Sequence, residues 1–161
     1  MKIWRNSNLK KRIISICLTV ILTTAVLAPA AQAANIQDEI FSSVTDFENG
    51  VTVETTLVIQ GSNSLLKATS TKSATKIDVY KYNGTEIATV SLTASFGYDG
   101  SSSWVNSSSV TKSVASGWTY SGESLTSTGG TAKVTATLTN LLTLSIAVDT
   151  SMSCTATGTI S

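Results

Sequence analysis

The chain has 161 residues, with eleven basic and ten acidic side chains, no histidine, one proline and two cysteines. These counts exclude histidine triads and histidine metal sites, and the charge of −4 that remains once the basic first segment, residues 1–33, is removed disfavours nucleic acid as a partner. The length suits one domain.

Met1 to Arg12 carries Lys2, Arg5, Lys10, Lys11 and Arg12 without an acid, Ile13 to Leu27 is a 15-residue apolar run free of charge, and Ala31-Gln32-Ala33 offers small residues for cleavage. Those are the three parts of an export signal. The run is shorter than the roughly 20 residues of a spanning helix. Residues 1–33 are therefore expected to be cleaved beside Ala31 and Ala33, giving a secreted protein with no membrane attachment. Cleavage removes five bases and no acid, so the formal charge moves from +1 to −4. It leaves 23 serines, 23 threonines and a single thiol, Cys154, which rules out an internal disulfide.

Residues 34–50 form an acidic leader with Asp38, Glu39, Asp46 and Glu48. Ile36, Ile40, Val44 and Phe47 recur at helical spacing, so a short amphipathic helix or an unstructured leader is expected there. From Val51 to the end the apolar pattern has period two, the mark of half-buried strands. A strand is expected over Val51–Ile59, then a polar loop from Ser62 to Thr75 containing Leu65 and Leu66.

Asn83-Gly84 is a type I′ hairpin signal between strands at Lys76–Tyr82 and Glu86–Tyr98. Placing Tyr82 opposite Thr85 sets Lys81 against Glu86, Val79 against Ala88 and Ile77 against Val90. In that register Ile77, Val79 and Ala88 share one face, while Tyr80, Tyr82 and Ile87 share the other. Asp99-Gly100 is a second turn, expected to bring Val105 near Ala94 and leave Trp104 on the opposite side. Thr131–Asn140 and Leu144–Cys154 alternate in the same way. About seven strands in residues 51–161 predict an all-β fold, an antiparallel Ig-like β-sandwich, with a small β-barrel as the alternative.

Catalytic chemistry has little to work with. The parity of Cys154 matches Ile146 and Met152, so it is expected to be a structural core thiol, with no histidine to activate it. Asp78, Asp99, Glu123, Asp149, Glu54 and Glu86 could supply a carboxylate pair for a small hydrolase, but they form no motif. Lys76 and Lys133 fall on polar-parity positions, so no lysine crosslink is expected in the core. No cofactor is implied and no metal-ligand cluster is visible. The aromatic residues Tyr80, Tyr82, Trp104, Trp118 and Tyr120 remain as candidates for binding an extracellular protein or glycan, against the alternative that they fill the interior. Strands free of proline also leave self-association by edge pairing open.

The stretches Leu92–Ser102, Gly117-Trp118-Thr119-Tyr120 with Gly129-Gly130, and Ser151-Met152-Ser153-Cys154 resemble small exported proteins of unknown function from Gram-positive bacteria. The resemblance spans roughly the last 90 residues. It implies a secreted β-domain and no catalytic residue, cofactor or ligand. The expected function is a secreted, non-enzymatic interaction module, with a structural or self-assembling surface component as the alternative.

Overall fold

A computed structural model describes residues 38–60, 69–141 and 144–161. The expected signal with Ala31 and Ala33 lies outside the described residues, as do Leu65 and Leu66. The described chain is a β-sandwich of two antiparallel sheets, neither closed into a barrel. Sheet A has the order β1-β2-β3-β4-β5: Glu39–Asp46, Val51–Gln60, Ser70–Tyr82, Thr85–Tyr98 and Ser103–Val114. Sheet B has the order β6-β7-β8: Trp118–Thr128, Thr131–Asn140 and Ser145–Ser153. β8 faces β3 and β4, β7 faces β4 and β5, and β6 runs beside β5.

Sequence and packing agree where alternation is strictest. Val90, Leu92, Ala94 and Phe96 of β4 meet Ala132, Val134, Ala136 and Leu138 of β7 and Ile146, Val148 and Met152 of β8 in one core, most of them fully buried. Hydroxyl residues take the outward positions, and the burial of these apolar surfaces drives the two sheets together.

The leader differs from expectation. Residues 39–46 form strand β1 on the edge of sheet A, paired along its length with β2, and only a 3-10 turn at Glu48–Gly50 is helical. A spacing of four fits a helix, but it is also an even number, so Ile40 and Val44 share one face of a strand equally well. The unpaired edge of β2 offers backbone partners that a short isolated helix cannot match.

The β3–β4 hairpin also corrects the sequence register. Asn83 and Gly84 both have positive φ, as a type I′ turn requires, and Tyr82–Thr85 and Lys81–Glu86 pair as expected. A bulge then intervenes between Tyr80 and Lys81, with Ile87 as the extra residue. Tyr80 therefore lies opposite Ala88, Val79 opposite Thr89, and Ile77 opposite Ser91. One extra residue reverses every side chain beyond it. Tyr80 and Asp78 thus enter the core, while Ile77 and Val79 face outward. Lys76 turns inward with them and donates to the Ser151 carbonyl at 3.0 Å, not to the polar surface its parity suggested. Lys81 pairs with Glu54 at 2.7 Å, while Glu86 accepts from Thr89.

A second bulge, between Ser95 and Phe96, shifts the β4–β5 register. Val105 lies opposite Phe96, and Ala94 faces Ser108 instead of Val105. Trp104 lies opposite Gly97 on the outer side of sheet A, the side expected for it.

Candidate functional site

The five aromatic candidates do not form one surface. Tyr80 is only 3% exposed and belongs to the core. Tyr82 and Trp118 meet edge to face, with ring centroids 5.9 Å apart, and pack on the core at the end of the sandwich that carries the Asn83-Gly84 turn. Tyr120 is half-buried on β6, where the Lys112 ammonium sits 4.5 Å above its ring and its own hydroxyl is buried without a hydrogen bond of ordinary geometry. Burial and the nearby Glu123 carboxylate push the Tyr120 pKa up to about 12. Glu123 projects from a β6 bulge to Lys112 at 2.6 Å, which holds its carboxyl below the usual range.

Trp104 is different. It stands outside the core cluster, at the other end of β5. Ten residues of strand separate it from Val114, near Trp118, a distance of roughly 33 Å. Three local features hold its ring. Gly97 has no side chain, and a Cβ there would fall 2.4 Å from the indole, so the ring rests directly over the backbone of β4. The bulge between Ser95 and Phe96 places the extra residue Asn106 beside it, and the indole N–H donates to the Asn106 side chain at 2.9 Å. The Asp99 turn fixes the start of β5. Its carboxylate accepts from the backbone N–H groups of Ser101 and Ser102 and from both hydroxyls, which hold its pKa down to about 2. Bulges commonly serve to re-aim a side chain in this way. One face of the indole is thus covered by Gly97 and its N–H is satisfied, which leaves Trp104 half-buried on the outer side of sheet A.

Sequence reasoning placed Trp104 on the correct face but missed what singles it out. The signal was present in the Gly97 and Trp104 pair flanking the Asp99-Gly100 turn, yet their opposition depends on how the turn and bulge close.

A buried polar group was also missed. Asp78 is 3% exposed; its two carboxylate oxygens accept from the Thr55 hydroxyl at 2.6 Å and the Thr150 hydroxyl at 2.5 Å. It links β2, β3 and β8 across the sandwich. Thr150, which interrupts the apolar parity of β8, is completely buried as its partner. The Tyr80 hydroxyl joins them through Thr150 and the backbone of Asp149. Buried apart from the half-buried Thr55, this cluster ties the sheets together.

Burial first, and then the Asp78 charge, push the Tyr80 pKa from 10.0 to about 12. The folded chain therefore keeps Tyr80 protonated where the unfolded chain ionises it. Its contribution is complete below pH 10 and is lost as pH rises through about 12, on the order of 2 kcal/mol. Urea midpoints of the parent chain should fall more steeply over that interval than those of Tyr80→Phe, and parallel curves would contradict this assignment.

The remaining candidate groups have structural partners. Lys133 pairs with Asp149 at 2.9 Å, and the Cys154 thiol is buried, donates to the Thr155 carbonyl and has its pKa raised by burial. A raised thiol is a poor nucleophile. Among the described residues no three acidic or cysteine side chains gather to hold a metal ion. No family model, curated protein or solved structure matches the chain.

Proposed function

We propose that this chain is an exported, non-catalytic interaction module that binds an extracellular glycan or protein through the outer face of sheet A around Trp104. The observation that carries the reading is the indole seated on Gly97 outside the core. A tryptophan contributes most to folding when fully buried, and one held half-buried on the outer side of a sheet by a glycine, a bulge and an asparagine is suited to serve as a contact platform. The basic, apolar and small-residue segments of residues 1–33 support export. The engagement of Asp78, Glu54, Glu86, Asp99, Glu123 and Asp149 in structural contacts argues against a hydrolase.

The test is an array of immobilised extracellular glycans and matrix proteins probed with the parent chain, Trp104→Ala and, as a control from sheet B, Leu125→Ala. Saturable binding that is lost in Trp104→Ala and retained in Leu125→Ala is expected, with unchanged circular dichroism. Equal binding by all three chains, or none to any probe, would overturn the reading.

A second reading, association by strand addition, rests on which edges are open. β5 and β6 lie against each other, with the Val105 N–H donating to the Gly129 carbonyl. On β8, alternate residues along the free edge are occupied: Ser153 pairs with Ser161, the Ser151 carbonyl accepts from Lys76, and Asp149 meets Tyr80. This blunts the edge against further pairing. β1 alone is left uncovered among the described strands, with Ile40, Phe41 and Val44 about half exposed. Self-association would therefore run through β1, and Ser42→Pro should abolish any concentration-dependent rise in mass seen by light scattering. A rise that survives the substitution places the contact elsewhere.

A further inference from the structure

We infer that the occupant of the Trp104 face is an uncharged polysaccharide, an extension that rests on the platform reading above. The strand registers place the outward residues of β3, β4 and β5 in rows. Thr71, Gly97 and Trp104 form the first row, followed by Ser73, Ser95 and Ser107 in the second. The third and fourth rows continue with serine and threonine, broken only by Ile77. These rows cover roughly 20 Å along the strands and roughly 10 Å across them.

No acid or base stands in those four rows, and none is added where the second to fourth continue onto Gln60, Val58 and Thr56 of β2 and the third and fourth onto Ile40 and Ser42 of β1. The first charges on this face stand in the next two rows, where Lys81 pairs with Glu54 at 2.7 Å and the exposed Glu86 accepts from Thr89. Such a field has nothing to pair with a carboxylate, sulfate or phosphate. The indole face is itself the negative side of the ring quadrupole, and the chain without its signal carries a charge of −4, so an anionic polymer would be repelled.

What the face does offer fits a neutral sugar chain. The indole receives the apolar C–H side of one ring, and the hydroxyls beyond it exchange hydrogen bonds with sugar hydroxyls in either direction. Thr75 and Thr93 already hydrogen-bond to each other at 3.0 Å, which fixes their rotamers while leaving lone pairs free. A chain stacked on Trp104 and running along β4 would meet Ser95 and then Thr93. An extended peptide gains less here, because its backbone seeks a free strand edge and β6 runs beside that of β5, joined to it by the Val105–Gly129 hydrogen bond and the Ser108–Ser127 and Lys112–Glu123 contacts.

The experiment is affinity electrophoresis and calorimetry of the exported form, residues 34–161, with neutral polymers (dextran, glucomannan, hydroxyethylcellulose) and anionic ones (hyaluronan, polygalacturonate). Saturable binding to at least one neutral polymer is expected, changing little between about 50 and about 500 mM salt because no charge pairs form. Trp104→Ala should weaken it by about tenfold or more. Gly97→Ala, which keeps the tryptophan but displaces its ring, and Ser95→Glu, which puts a charge in the second row, should weaken it as well, with melting curves confirming the fold. Trp104-dependent binding to anionic polymers alone, fading with salt, would overturn the neutral class and leave the platform intact. Silence toward every polymer with Trp104-dependent binding to a protein on the array would do the same. Polymer binding that persists in Trp104→Ala would overturn both.

Discussion

Replacing Asp78 with alanine should cost about 3–5 kcal/mol of folding stability, because it removes a buried charge-assisted pair of hydrogen bonds and strands both partners. Thr150 is wholly buried and has no water to turn to, and Thr55 is half-buried beside it. The cost belongs to the unpaired groups more than to the contact itself. A triple replacement, Asp78→Leu with Thr55→Val and Thr150→Val, removes donors and acceptor together and should recover most of the loss. Denaturant midpoints of the parent, single and triple variants check this. A single variant within about 1 kcal/mol of the parent would show that the cluster is not a buried tie between the sheets.

Phe96→Ala should be comparably severe, at about 3–5 kcal/mol, for the opposite reason. Phe96 is the largest of the fully buried side chains and sits where the second bulge shifts the β4–β5 register. Its removal leaves a cavity between sheets whose central neighbours, Leu92, Leu138 and Met152, are themselves fully enclosed and poorly placed to collapse into it. Phe96→Leu should retain more than half of the stability that alanine loses. Equal losses for both, read from thermal and urea unfolding, would point to the ring's shape at the bulge instead of its volume.

The two variants separate what could be read from the chain and what could not. Phe96 was legible as core because Ala88, Val90, Leu92 and Ala94 precede it at the same parity, and period two survives wherever a strand has one wet and one dry face. Asp78 was not, since its burial follows from the single extra residue at Ile87, and the two registers differ by a step that hydrophobic pattern alone scarcely penalises: both bring apolar side chains together. The sequence left open which face of this hairpin turns inward, and Thr55 and Thr150, distant in the chain, supply partners for Asp78 that no local rule announces.

By itself, the sequence determined the all-β class, the turns at Asn83-Gly84 and Asp99-Gly100, and the buried parity of β4, β7 and β8. These are properties of neighbouring residues: alternation, and the positive φ that asparagine and glycine tolerate. The tertiary structure alone decided that residues 39–46 become a strand, that Tyr80 and Asp78 point inward, and that Trp104 rests on Gly97, half-buried outside the core. Each of these depends on which strand lies alongside and on a bulge of one residue, and the free energy that selects them comes from contacts between segments far apart in the chain.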